Sequence, residues 1–332
     1  MTITSGRARW MVIVACGGLV TSVPHIADAF GGEPLGEPTP CDSAFVLTAE
    51  PAEQAKRDLD EASGRTYPLK PLAPTGDGEP VTLLDAGDQT DPVLLPIAAV
   101  EGNTAAFRSA QATQATIDPS VGRSQNVDFS LMWSGATTEM EVDSDGSHLQ
   151  RIRIDESHGT NGFEEQNGFA ATVLTGLTFA QSVLPDGRLD RIEFLDNGRA
   201  SDDALVIAEG FLIVSPMAFP TTPIGIGATW TWDADVPFGM TTVALTYRYE
   251  LTELDADHYA VAISWDVDVD VDQLGDHVVG TLAGTGTYTG SRDNALMYSL
   301  RDTQTRVWTI ETGGDTLRLD AVDTYSMDSG TT

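Results

Sequence analysis

Lysine is almost missing from this chain: Lys56 and Lys70 are the only two among 332 residues. Eighteen basic side chains face 50 acidic ones, for a formal charge of −32. A field of that sign repels phosphate backbones and anionic lipid surfaces, which removes nucleic acid as a partner. Cysteine is as scarce. Cys16 and Cys41 are the whole supply, too few for a disulfide scaffold. No apolar run reaches the roughly 20 residues that a helix needs to cross a bilayer, so no transmembrane span is expected. The familiar catalytic signatures are missing too. There is no G-x-S-x-G elbow, H-E-x-x-H, C-x-x-C or P-loop, and no G-x-G-x-x-G after a strand. The reading therefore leans away from an enzyme, and no catalytic residue is assigned.

What is present begins with an address. Arg7 and Arg9 precede the apolar run Trp10–Val23, and Ala27-Asp28-Ala29 forms a small-x-small cleavage signature before Phe30. Residues 1–29 read as an export signal. Ile13-Val14-Ala15-Cys16-Gly17-Gly18 supports a second reading, a lipoprotein box with Cys16 lipidated as the mature N-terminus. Both readings export the chain, to the periplasm or medium in one case and to a lipid anchor in the envelope in the other. Removing Arg7, Arg9 and Asp28 leaves 16 basic and 49 acidic residues, a charge of −33. Asp outnumbers Glu by 33 to 17. The charge is spread evenly, and the favoured reading is solubility in a salty medium rather than a cation site. With 41% hydrophobic residues the chain can still build a core.

Residues 30–80 read as a flexible Pro/Gly-rich lead with a short helix over 49–63, striped by Ala52, Ala55, Leu59 and Ala62. The body, 81–326, reads as antiparallel β, with a polar tail at 327–332. Alternating runs meet at turn signals: Val127–Val142 and Leu149–Ile154 around Asp143-Ser144-Asp145-Gly146, then Phe169–Leu184 and Arg188–Leu195 around Pro185-Asp186-Gly187. One segment differs. Residues 201–216 open with the cap-like Ser201-Asp202-Asp203 and continue as Ala204–Val214, apolar on nearly every side, which predicts a buried helix.

The body echoes itself across 81–200 and 217–326. Leu95-Pro96…Gly102-Asn103-Thr104 is matched by Phe219-Pro220…Gly227-Ala228-Thr229, and Val142-Asp143-Ser144-Asp145 by Leu254-Asp255-Ala256-Asp257. The turn at Pro185-Asp186-Gly187-Arg188 is matched by Arg292-Asp293-Asn294-Ala295. The fold expected is one large curved sheet or barrel from two similar halves, or a pair of sandwiches. Within the second half, Phe219-Pro220-Thr221-Thr222-Pro223-Ile224-Gly225-Ile226-Gly227-Ala228-Thr229-Trp230 resembles the (F/L)P-x-x-P-(V/I)-x-(V/P)-G-x-x-W signature of uncharacterised exported, lipoprotein-like bacterial domains. Leu83-Leu84-Asp85-Ala86-Gly87 is similar to that pattern as well. The resemblance spans about residues 81–312 and implies export without implying an activity.

Candidate site residues are acidic. Asp266, Asp268, Asp270 and Asp272 alternate with Val267, Val269 and Val271, which on a strand puts four carboxylates on one face. Asp155 and Glu156 open a second acidic excursion that runs to Glu164-Glu165 at the corresponding place. Together they offer an oxygen-rich rim suited to Ca²⁺ as a cofactor. The favoured alternative is a solvated face or charged sheet edge. His148 and His258 follow the two D-x-D turns and read as exposed turn-flanking residues. Trp230 with Trp232, and Tyr247 with Tyr249, each share a strand face; core packing is favoured over a ligand-stacking platform. The function expected is an exported, non-enzymatic binding or scaffolding module, in one form a carrier of an apolar small molecule or envelope ligand. The alternatives are an acidic-rim enzyme acting on carbohydrate, with or without a divalent cation, and a surface adhesin.

Overall fold

The computed structural model describes residues 13–16, 19–22, 81–96, 99–120, 122–160, 174–196, 217–238, 241–273, 276–312 and 315–330. The signal cleavage site, the predicted helices at 49–63 and 201–216, Cys41 and the Glu164-Glu165 end of the first acidic excursion lie outside them. Two short strands, β1 (Ile13–Cys16) and β2 (Leu19–Ser22), pair with each other. They fall inside the expected signal segment. All other described strands belong to a single twelve-stranded antiparallel sheet.

In chain order these strands are β3 (Val81–Asp85), β4 (Thr104–Pro119), β5 (Gln125–Val142), β6 (His148–Thr160), β7 (Thr178–Val183), β8 (Leu189–Asp196), β9 (Thr229–Phe238), β10 (Thr241–Leu254), β11 (His258–Gln273), β12 (Asp276–Ser291), β13 (Tyr298–Thr312) and β14 (Asp315–Gly330). Their spatial order is β3-β9-β10-β11-β12-β13-β14-β4-β5-β6-β7-β8. Two meanders, β4–β8 and β9–β14, are thus joined where the last strand pairs with β4, from Leu317 opposite Pro119 to Gly330 opposite Ala106. That ladder makes one continuous sheet and rules out paired sandwiches. It also carries β14 into the expected polar tail as far as Gly330, with Met327 buried. β3 joins the second meander, pairing with β9 instead of the strands that follow it. In the first meander, the strand expected from Phe169 begins only at Thr178 among the described residues.

The predicted hairpins close on their turn residues. Gly146 and Gly187 take φ of 93° and 87°, the left-handed region that glycine enters at little cost. Asp143 N donates to Ser147 O, and Leu184 N to Arg188 O, closing each turn. In the second meander Asp255 N donates to His258 O. That turn is one residue shorter than its counterpart.

One sheet face carries the core. Phe107, Trp133, Ile154 and Phe194 of the first meander join Trp230, Trp232, Tyr249 and Trp265 of the second in one cluster. Leu83 of edge strand β3 packs on the same cluster as Phe194 of edge strand β8. The sheet therefore curls until its two ends face a common interior. Each large side chain buried this way contributes roughly 2–3 kcal/mol relative to exposure. The Gly/Thr-rich strand β12 makes room for the aromatics. A Cβ on Gly284 would sit 2.2 Å from the Trp265 ring, and one on Gly290 2.4 Å from the Tyr259 ring. A second cluster, formed by Val269, Val278, Leu282, Trp308, Ile310 and Leu319, fills the far end of the long strands.

Candidate functional site

The two meanders share register landmarks, so positions can be matched between them. Gly102 (φ 85°) and Gly227 (φ 81°) stand just before β4 and β9. Gly102 N donates to Glu139 O, and Glu139 N to Asn103 O; Gly227 N donates to Leu251 O, and Leu251 N to Ala228 O. A bulge follows in both, at Glu139/Glu141 against β6 and at Leu251/Glu253 against β11. Glu139 thus occupies the place of Leu251. Across the next ladders Gln150 matches Val261 and Gln181 matches Tyr288.

The substitution of Glu for Leu builds a polar cluster inside the core. The Glu139 side chain is fully enclosed, and burial pushes its carboxyl up to about 7 even though Gln150 favours the ionised form. Gln150 Nε2 donates to Glu139 Oε1 at 2.8 Å, and Gln181 Nε2 donates to Gln150 Oε1 at 2.6 Å. His148 Nε2 lies 3.9 Å from Glu139 Oε1 and 3.4 Å from Gln150 Nε2. Its Nδ1 faces Gly146 O at 3.3 Å, a carbonyl that can only accept, so the network assigns the proton to Nδ1 and leaves Nε2 bare. Desolvation lowers the imidazole's pKa. Near neutrality the pair is a carboxyl beside a neutral imidazole rather than a fixed salt bridge. Glu139 Oε2 is buried with no hydrogen-bond partner among the described residues.

His148 departs from the sequence expectation, because its side chain is only 10% exposed. The extra residue in the Asp143–Ser147 turn moves it one place along the ladder, where it matches buried Tyr259. His258, in the shorter turn, is exposed as expected.

A second polar group separates the two apolar clusters. Arg306 and Asp323 form a buried ion pair through two 2.7 Å hydrogen bonds, and Thr113 Oγ1 adds a third at 2.7 Å. Arg306 also lies over the Trp308 ring, 5.0 Å from its centroid. Beside this pair a cavity of about 20 Å³ is lined by Gln111, Tyr247, Asp302, Gln304, Asp323 and Tyr325, among others. A shallower concavity of about 470 Å³ lies outside, where Gln114, Thr116, Asn126 and Thr305 surround exposed Val307 and Val322.

The Asp ladder takes the predicted alternation. Asp266, Asp268, Asp270 and Asp272 are exposed, while Val269 is in the core and Val267 and Val271 pack on it. Partners sit at its ends: Arg248 donates to Asp266, and His277 lies 3.7 Å from Asp270 and 3.0 Å from Asp272. Asp155 is bound by Arg153 at 2.7 Å, and Glu156 faces His158 at 3.2 Å. Among the described residues no three His, Cys, Asp or Glu side chains converge as a metal-ion site. Trp230 on Tyr249 and Trp232 on Tyr247 stack at 5.4 and 5.5 Å, as core. The Glu139 cluster was not foreseen. Its signal was a Glu at the inward phase of a strand, obscured by the following bulge.

The sequence matches no protein-family profile and no curated protein. Among solved structures the chain is similar to a Salmonella typhi OmpF complex with daunomycin, at 10% identity over 66% of this chain and 97% of that one, TM-score 0.22. It is also similar to an outer membrane channel from Pseudomonas putida F1, at 8% identity over 73% and 99%, TM-score 0.17. A protein of unknown function from Nostoc punctiforme follows at 6% identity over 67% and 95%, TM-score 0.12. Likenesses at these scores carry no argument about fold or function.

Proposed function

We propose that this chain is an exported binding or scaffolding protein without enzymatic activity, a solid β body that meets its partner with its outer surface. The observation that carries the reading is the filled interior. Tryptophans, tyrosines and aliphatic side chains from both meanders interlock there, and the cavity beside the Arg306–Asp323 pair measures about 20 Å³. A cavity of that size is on the scale of one water molecule, far below the volume of an apolar ligand. The carrier form of the reading therefore moves to the outer concavity beside Val307 and Val322. Export rests on Arg7, Arg9, the Trp10–Val23 run and the Ala27-Asp28-Ala29 signature. The matched landmarks around Gly102 and Gly227 support descent of the two meanders from one repeated unit.

Native mass spectrometry of the mature protein, purified from its own envelope, tests the reading. The expected species is polypeptide beginning at Phe30 with no tightly held ligand. An acylated Cys16 terminus would select the anchored form instead. A stoichiometric apolar molecule that survives purification would return the interior carrier to favour.

A further inference from the structure

We propose that Glu139 and His148 form a proton-operated catch inside the first meander, closed while a proton lies between them and loosened when it leaves. The catch sits at the β5–β6 bulge, where the register-matched place in the second meander holds Leu251. Apolar packing alone suffices there, so a fully enclosed carboxyl at Glu139 adds a property that stability does not require.

The geometry gives the proton a place on either side. His148 Nε2 is the bare nitrogen, and Gln150 Nε2 spans it and Glu139 Oε1 at 3.4 and 2.8 Å. Glu139 Oε1 stands 3.9 Å from Nε2, so a proton carried on the carboxyl faces the bare ring nitrogen. With the proton present, the pair is hydrogen-bonded and neutral, or an ion pair if the proton crosses to the ring. With it gone, a carboxylate is enclosed with one amide donor, and its Oε2 has no partner among the described residues.

Among the described residues the surrounding groups supply no replacement charge. From β6 the titratable neighbour is His148 itself, Arg151 being one strand position out of phase and on the opposite face. From β7 comes Gln181, which is uncharged. From β13 comes Tyr298, whose hydroxyl pKa is raised by burial and by the Glu139 charge. On β5, Glu141 is exposed and Thr137 uncharged.

The sign follows from linkage. The folded carboxyl titrates above its unfolded value, so its contribution to stability is complete below about pH 4.5 and is lost as pH rises to about 7. His148 acts oppositely and only below its ordinary value of 6.5. A difference between wild type and a Glu139 variant isolates the carboxyl from every other acid in this chain.

Urea denaturation of the full mature chain at steps from pH 4.5 to 8.5 provides the test, with wild type, Glu139→Gln and Glu139→Leu. Gln reproduces the protonated catch, and Leu reproduces the residue at the matching position. The unfolding constant of wild type relative to either variant is expected to rise on the order of a hundredfold across the range. Isotope-edited infrared spectra should show a protonated carboxyl band at pH 6 that Glu139→Gln removes. Should Glu139→Gln not fold, Glu139→Leu carries the same comparison. A ratio that changes less than about threefold, or a carboxylate band at pH 5 that Glu139→Gln removes, would overturn the catch.

Discussion

Trp230 lies flat on Tyr249 in the second meander; at the matching places of the first, Ala105 faces Thr137. One step along, Trp232 on Tyr247 is matched by Phe107 opposite Gly135. Beyond the bulge, Leu251, Val261 and Tyr288 are matched by Glu139, Gln150 and Gln181. Backbone hydrogen bonds around both sites run the same way, so the ladder accepts either content. The difference is energetic. Apolar stacking loses little when pH changes, whereas a buried hydrogen-bonded carboxyl ties local stability to its proton. The second meander is built as a fixed wall and the first as one that responds.

Moving the carboxyl across the comparison should produce the largest effect. Leu251→Glu places an acid beside Val261, with Tyr288 on the next strand and no paired glutamines to receive it. A loss of about 5 kcal/mol at pH 8 is expected from urea unfolding, the sum of a lost core side chain and a poorly solvated carboxylate. A loss below about 2 kcal/mol would mean that the two positions are not equivalent in environment. Next, Trp230→Ala should cost about 4 kcal/mol, because it removes the stacked partner of Tyr249 and the indole hydrogen bond to Ala218 O at 2.7 Å. The natural Ala105 at the matching position sets the contrast, since there the interior is closed by other side chains.

The meander plan was legible because its turns are written in Asp, Asn and Gly between alternating runs. Asp143–Gly146 and Pro185–Gly187 close hairpins where their residue types said they would. The order of the meanders was not legible. β14 pairs with β4 across two hundred residues of chain, and nothing local marks that ladder. The phase of His148 was lost to a one-residue difference in turn length, which shifts a side chain to the other face. Glu139 was hidden by the same physics: a bulge breaks the alternation that would have marked it as inward. The Asp ladder needed no tertiary information, since alternation with valine defines both faces.

The smallest effect belongs to that ladder. Neutralising Asp268 and Asp270 together to Asn should change stability by no more than about 0.5 kcal/mol, as for exposed positions generally. Thermal melts with and without millimolar calcium check it. A calcium-dependent rise in wild-type Tm that the double variant loses would turn the ladder and the Asp155–Glu156 excursion into an ion site.

Amide hydrogen exchange resolved by residue compares the two walls within one molecule. Protection in β5–β6 and in β10–β11 would be measured at pH 6 and pH 8.5 and corrected for the intrinsic exchange rate. The result expected is a fall in protection in β5–β6 as pH rises, on the order of tenfold or more, at least as large as any fall in β10–β11 and absent in Glu139→Leu. An unchanged β5–β6, or a fall there that persists in Glu139→Leu, would contradict the division into a fixed and a responsive meander.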